Sequence, residues 1–116
     1  ILNNKIIELN GDGSTSRDFT HVENVIDGIL KSCFFKQKNK FEIFNLACGK
    51  EISLNTLLKN IIKISGKKPK ILKKPFREGD IKRSKAAIKK AKYYLNYKVK
   101  INFETGIKKY INGIVK

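Results

Sequence analysis

At 116 residues the chain suits one small domain, and its 41% hydrophobic content is too high for a disordered segment. No apolar run approaches the roughly 18 residues of a membrane helix, and the first residues, Ile1-Leu2-Asn3-Asn4-Lys5, lack a signal-type apolar stretch, so the expected compartment is the cytoplasm. The formal charge of +16 invites a polyanion partner, but the lysines are spread through every segment and no aromatic residues are interleaved as a stacking platform, which disfavours nucleic acid.

In chain order, the apolar and β-branched run Ile6-Ile7-Glu8-Leu9 predicts a short strand. Gly11-Asp12-Gly13 then predicts a tight turn, because positive φ is cheap for glycine, and the corner as a whole reads as anion-facing. Arg17 stands out in the extended stretch Ser16-Arg17-Asp18-Phe19, since only three of the 26 basic residues are arginine. Its planar fork grips a diphosphate as a lysine cannot.

Thr20 precedes Glu23 at capping-box spacing, and Val22, Val25, Ile26, Ile29, Leu30 and Cys33 recur at helical intervals, predicting a helix from about Val22 to Phe35 with that stripe as its buried face. The polar residues 36–40 stop it. Phe41 to Ala47 alternates and then turns apolar, as a half-buried strand does. Ser53 caps an amphipathic helix with a core-packing stripe of Leu54, Leu57, Leu58, Ile61, Ile62 and Ile64, which Gly66 ends. Lys70 to Lys73 reads as a short strand before Pro75. Two helices close the chain, about Lys85 to Tyr94 and about Glu104 to Val115. The fold class is therefore α/β, a small mixed domain of short strands and about four helices.

Cys33 and Cys48 lie fifteen apart with His21 as the one imidazole, so metal-ligand spacing is absent and both cysteines are expected as reduced packing residues. His21 is expected to make a structural polar contact.

The segment GDGSTSRDFTHVENVIDGI resembles the GDGsqtRDFtyVdDvvdgi segment of the NAD-dependent nucleotide-sugar epimerases and dehydratases, the extended short-chain dehydrogenase/reductase family. The likeness continues through Phe44 to Leu54, through Arg77-Glu78-Gly79-Asp80 (family RpGDv), and into Tyr94-Leu95-Asn96-Tyr97 and Phe103-Glu104-Thr105-Gly106. The resemblance implies a substrate-binding lobe with the last strand of a Rossmann-type fold, the 41–47 strand joining a sheet edge found elsewhere. It also implies that Arg17 and Arg77 contact one diphosphate. By the same resemblance, Asp80 is expected to accept ribose hydroxyl bonds or to hold Arg77, and Ser84 to add a nucleotide contact.

The family's glycine-rich loop GxxGxxG does not occur in this sequence, and the tyrosine–lysine pairing it does contain, Tyr94 to Lys98, sits in the wrong block for the family's catalytic Tyr-x-x-x-Lys. By the resemblance the chain corresponds to the carboxyl-terminal part of such an enzyme. NAD belongs to the intact family enzyme and is not expected to bind this chain alone, and a separately encoded amino-terminal Rossmann portion is a candidate partner. The expected function is binding of a nucleotide-diphosphate sugar, a UDP-hexose for polysaccharide or lipopolysaccharide precursor synthesis. The alternatives are a basic polyanion-binding module and an inactive remnant. Against the family pattern, Asn24 and Ala87 replace aspartates, which predicts looser loop anchoring, and Asn96 replaces a glycine, which asparagine tolerates because it accepts left-handed backbone.

Overall fold

The computed structural model describes residues 5–36 and 41–114. β1 (Ile7–Asn10) pairs in parallel with β4 (Ile71–Lys74), and β2 (Ser16–Arg17) pairs antiparallel with β3 (Ile52–Ser53). Four helices complete the α/β arrangement: α1 (Val22–Cys33), α2 (Leu54–Ser65), α3 (Lys89–Leu95) and α4 (Phe103–Ile114). The expected strands at Ile6–Leu9 and Lys70–Lys73 thus sit one residue later than read from the sequence, and α3 begins four residues later. The predicted end of the last helix at Val115 and most of the 36–40 loop lie outside the described residues.

α2 is delimited as its sequence dictates. The Ser53 hydroxyl accepts from the Thr56 amide at 3.1 Å, and Gly66 closes the helix at φ 68°. At α1 the cap is His21 rather than Thr20, its Nδ1 accepting from the Glu23 amide at 3.3 Å, because the Thr20 hydroxyl is turned to the Cys48 amide. Asn96 takes the left-handed conformation at the end of α3, φ 49° and ψ 36°.

The core gathers around α3: Ala47, Ile88, Ala91, Leu95 and Tyr97 form one buried cluster, with Phe44, Leu46 and Val99 packed on its flank. The buried Tyr97 hydroxyl donates to the Ala47 carbonyl at 3.0 Å, and burial pushes its pKa up. The stripe of α2 is only half-buried, no residue of that helix being fully enclosed.

α1 is turned the other way from its expected orientation. Asn24 and Gly28, one turn apart, are its buried residues, whereas Val22, Ile26, Ile29 and Leu30 are 49–61% exposed and Cys33 is exposed. A Cβ on Gly28 would lie 2.4 Å from the Leu46 side chain, so the glycine is what lets Leu46 close on the helix. Residues 41–46 alternate in exposure as a strand does, yet pair with no strand among the described residues. The expected strand is missing because a ladder needs a neighbour to hydrogen-bond, and none of the described segments supplies it.

The molecule is a slab of 53 × 37 × 16 Å with a radius of gyration of 17.1 Å, against roughly 13 Å for a compact chain of this length. It exposes 8919 Å², about 2,400 Å² more than a compact protein of this mass. No helix among the described residues is long and apolar enough to cross a membrane.

Candidate functional site

Asp18 organises the site. Its carboxylate accepts from the amides of Gly49 at 2.8 Å, Cys48 at 3.0 Å and Ala86 at 3.3 Å, tying the β2 segment to two loops distant in sequence. Asn24 does the same on the opposite side of α1's start. It is fully buried, donates to the Ile101 carbonyl at 2.7 Å and accepts from the amides of Lys100 and Ile101, each at 3.0 Å. The looser anchoring expected at Asn24 is therefore corrected: the amide both donates and accepts, and an aspartate could not donate to Ile101. Ala87 is likewise anchored through its backbone, its carbonyl accepting from the Asn45 side chain at 3.3 Å.

With these anchors in place, Arg17 reaches across to the segment after β4. Its Nη2 donates to Asp80 Oδ1 at 2.7 Å, and its Nη1 donates to the carbonyls of Ser16 and Ile81. Three of the five guanidinium N–H groups are thereby used, and two are left without a partner among the described residues. The fork is held in one orientation with about a third of the side chain exposed. Ser84 is tied to the same strand by its backbone, its amide donating to the Ser16 carbonyl at 3.2 Å, while its side chain is exposed.

Arg77 is placed differently. A backbone bond of 3.2 Å from the Asp80 amide to the Arg77 carbonyl closes a β-turn with Gly79 at φ 75°, the left-handed position of a type II turn. Nothing lies within 4 Å of a Cβ at Gly79, so that glycine serves backbone conformation alone. Arg77 is exposed, and its bond to Asp80 runs through the backbone. Asp80 pairs with Arg17, not with Arg77. The structure thus brings Arg17, Asp80 and the Ser84 backbone together and leaves Arg77 at the far end of the turn.

Sequence reasoning passed over Arg83, although it is the third of only three arginines and that rarity was the available signal. Arg83 bridges to Ser16 through its backbone and bonds Glu51 at 2.6 Å, holding that carboxyl below its ordinary range. Asp18 was passed over because its partners are three backbone amides, which no side-chain pattern announces.

The glycine corner is packed against side chains from two other segments. Both glycines have positive φ, 77° at Gly11 and 80° at Gly13, as the turn requires. A Cβ at Gly11 would meet the Phe76 ring at 2.3 Å, and one at Gly13 would meet Asn55 at 2.2 Å. Those two side chains pack directly on the corner. Cys48 is half-buried and free, and burial pushes its thiol pKa up, as suits an unreactive residue. Among the described residues no cluster of three or more metal-ligating side chains occurs.

The small mixed α/β arrangement that carries this arginine–aspartate pair matches part of Rossmann-type epimerase structures. The chain belongs to the NAD-dependent epimerase/dehydratase family: the family model described as GDP-mannose 4,6 dehydratase matches residues 1–110. It is 38% identical over its full length to an uncharacterized protein of Methanocaldococcus jannaschii, covering 35% of that relative. It is 35% identical to the UDP-glucuronate 4-epimerase of Thermodesulfobacterium geofontis, over 97% of this chain and 34% of the relative. The UDP-glucuronic acid 4-epimerase of Bacillus cereus, solved in complex with UDP-glucuronic acid and NAD, superposes with a TM-score of 0.86 at 27% identity, over 97% of this chain and 37% of that one. The chain spans about a third of the length of the relatives it matches.

Proposed function

We propose that this chain is the nucleotide-sugar-binding portion of an NAD-dependent epimerase or dehydratase, with a UDP-hexose or UDP-hexuronate as ligand and with the hydride and proton chemistry carried by a portion not contained in this sequence. The observation that carries the proposal is the Arg17–Asp80 pair at 2.7 Å, which joins two motif blocks 63 residues apart and holds an arginine fork with two free donors in the open. A diphosphate accepts from such a fork without first having to order it, and preorganised donors bind charge more tightly than mobile ones. Arg77 is the second phosphate contact and Ser84 an additional nucleotide contact in this reading. Arg77 reaches the ligand by side-chain movement at the exposed turn.

The catalytic step takes a hydride from the sugar carbon and a proton from its hydroxyl, and this chain supplies neither acceptor. Its contribution is to clamp and orient the sugar nucleotide. The relatives with UDP in their names support a uridine nucleotide, and the exposed apolar face of α1 supports a second folded portion packed against it.

The test is calorimetric titration of UDP-glucose and UDP-glucuronic acid into the protein and its Arg17→Lys and Arg77→Lys variants. Binding that competes with UDP and falls about tenfold or more in each variant supports the reading, since lysine keeps the charge but loses the fork. Binding of polyanions that weakens steeply with salt and ignores Arg17→Lys would instead favour the basic-module alternative.

A further inference from the structure

β2 lies between two other extended segments. On one side β3 pairs with it antiparallel, Ser16 opposite Ser53 and Arg17 opposite Ile52. On the other side residues 82–84 run parallel to it. There the Ser16 amide donates to the Lys82 carbonyl at 2.9 Å, the Ser84 amide donates to the Ser16 carbonyl at 3.2 Å, and Arg83 is the residue bridged to Ser16. Side chains alternate between faces along extended backbone, so Ser53, Ser16 and Arg83 share one face and Arg17 belongs to the other. Glu51, two residues before Ser53, returns to the face of Ser16. Arg83 meets it there, with Nη2 at 2.6 Å and Nε at 3.2 Å from one carboxylate oxygen.

The Arg83–Glu51 pair thus links the two outer segments across the strand that carries the arginine fork, on the face away from it. Both partners of that fork in the second motif, the Asp80 carboxylate and the Ile81 carbonyl, immediately precede the linked residues. Residues 80–84 are exposed throughout, so burial does not locate them. Among the described residues, their ties besides the two backbone bonds to Ser16 are Arg17 itself, the nearby Ala86 amide on Asp18, and the Arg83–Glu51 pair. A diphosphate engages Arg17, whereas the pair on the opposite face is left untouched by it.

We propose that Glu51 and Arg83 are positioning residues of the sugar-nucleotide site, their ion pair holding residues 80–84 against β2 so that Asp80 orients the Arg17 fork. The proposal rests on the sugar-nucleotide reading above and adds to it two residues that act on the ligand only through Arg17.

The experiment measures UDP affinity by calorimetry, and the thermal midpoint, for the protein, Glu51→Gln, Arg83→Gln and the charge-swapped double variant Glu51→Arg/Arg83→Glu. Each single variant should lose about tenfold in UDP affinity, because the fork is no longer held ready. The midpoint should move by no more than about 5 °C, since 77% of the Arg83 side chain is in solvent and exposed pairs add little to global stability. The swapped pair should recover affinity to within about threefold of the wild type. The sign at Glu51 separates positioning from charge alone: removing an anion near a diphosphate would by itself raise affinity, and loss of positioning lowers it. Hydrogen exchange without ligand should quicken at the Ser84 amide in both single variants. Affinity unchanged or raised in Glu51→Gln, a swapped pair no better than the single variants, or an unchanged Ser84 amide overturns the positioning role and leaves the sugar-nucleotide reading standing. Wild-type protein that does not bind UDP overturns both.

Discussion

Residues 88–111 and residues 70–85 are held in place by different forces. The first stretch contributes Ile88, Ala91, Leu95, Tyr97, Ile101, Phe103 and Ile111 to the buried core. In the second, every residue is exposed, including Ile71, Leu72, Phe76 and Ile81. What fixes that arm is polar: the β1–β4 ladder, the Gly11 amide on the Lys74 carbonyl at 2.8 Å, the Arg17–Asp80 pair and the Arg83–Glu51 pair. The candidate binding residues Arg77, Asp80 and Ser84 all lie on the arm. Apolar burial builds the scaffold, and directional bonds without burial aim the site, which leaves the site the region most easily displaced.

The strongest way to break this contrast is at Asn24. Asn24→Ala strips three backbone groups of Lys100 and Ile101 of their partner inside the packed half, and should cost about 3 kcal/mol or more. Thermal unfolding followed by circular dichroism should then show a midpoint lower by more than about 10 °C. A smaller loss would mean that the 99–102 loop is held by something other than this amide.

Gly11→Ala attacks the arm instead. A left-handed alanine costs about 1–2 kcal/mol, and its Cβ would push Phe76 aside. Hydrogen exchange should quicken at Ile7–Gly11 and Ile71–Lys74 while α3 and α4 keep their protection. Equal acceleration in both halves would show that the arm and core unfold as one unit.

Acid should act on both regions. Lys100, and then Lys31, lowers the pKa of Asp27 from its ordinary 3.8, and Arg83 lowers that of Glu51 from 4.5. A depressed folded pKa gives stability that is present above the unfolded value and is lost as pH falls through the folded one. The thermal midpoint should hold from neutral pH to about 5 and decline below about 4. Asp27→Asn should flatten the part of that decline belonging to the α1 contact with Lys100, and Glu51→Gln the part belonging to the arm. Identical profiles in both variants would remove the assignment to these pairs.

The smallest effect is expected at Ser16. Its hydroxyl is buried without a partner among the described residues, so Ser16→Ala removes an unsatisfied group and should change stability by no more than about 0.5 kcal/mol, in the favourable direction. A clear destabilisation by chemical denaturation would reveal a partner for that hydroxyl.

The sequence alone determined the elements whose signals are local. Ser53 and Gly66 marked both ends of α2 because a cap hydroxyl and a left-handed glycine act within one turn, and the glycine corner and the strand before it follow from the same short-range rules. The arginine–aspartate motifs also named the residues of the candidate site. Only the tertiary structure decided which of them meet. Periodicity gave α1 an apolar stripe but not the side it faces, and that stripe lies open because Asn24 and Gly28, small and polar, are what the neighbouring loops close upon. The 41–47 segment has the alternation of a strand without a partner to pair with, since a ladder is a property of two segments and a sequence window describes one. Asp80 pairs with Arg17 rather than with the arginine three residues away for the same reason: a contact across 63 residues depends on how the chain folds back, which no local pattern encodes.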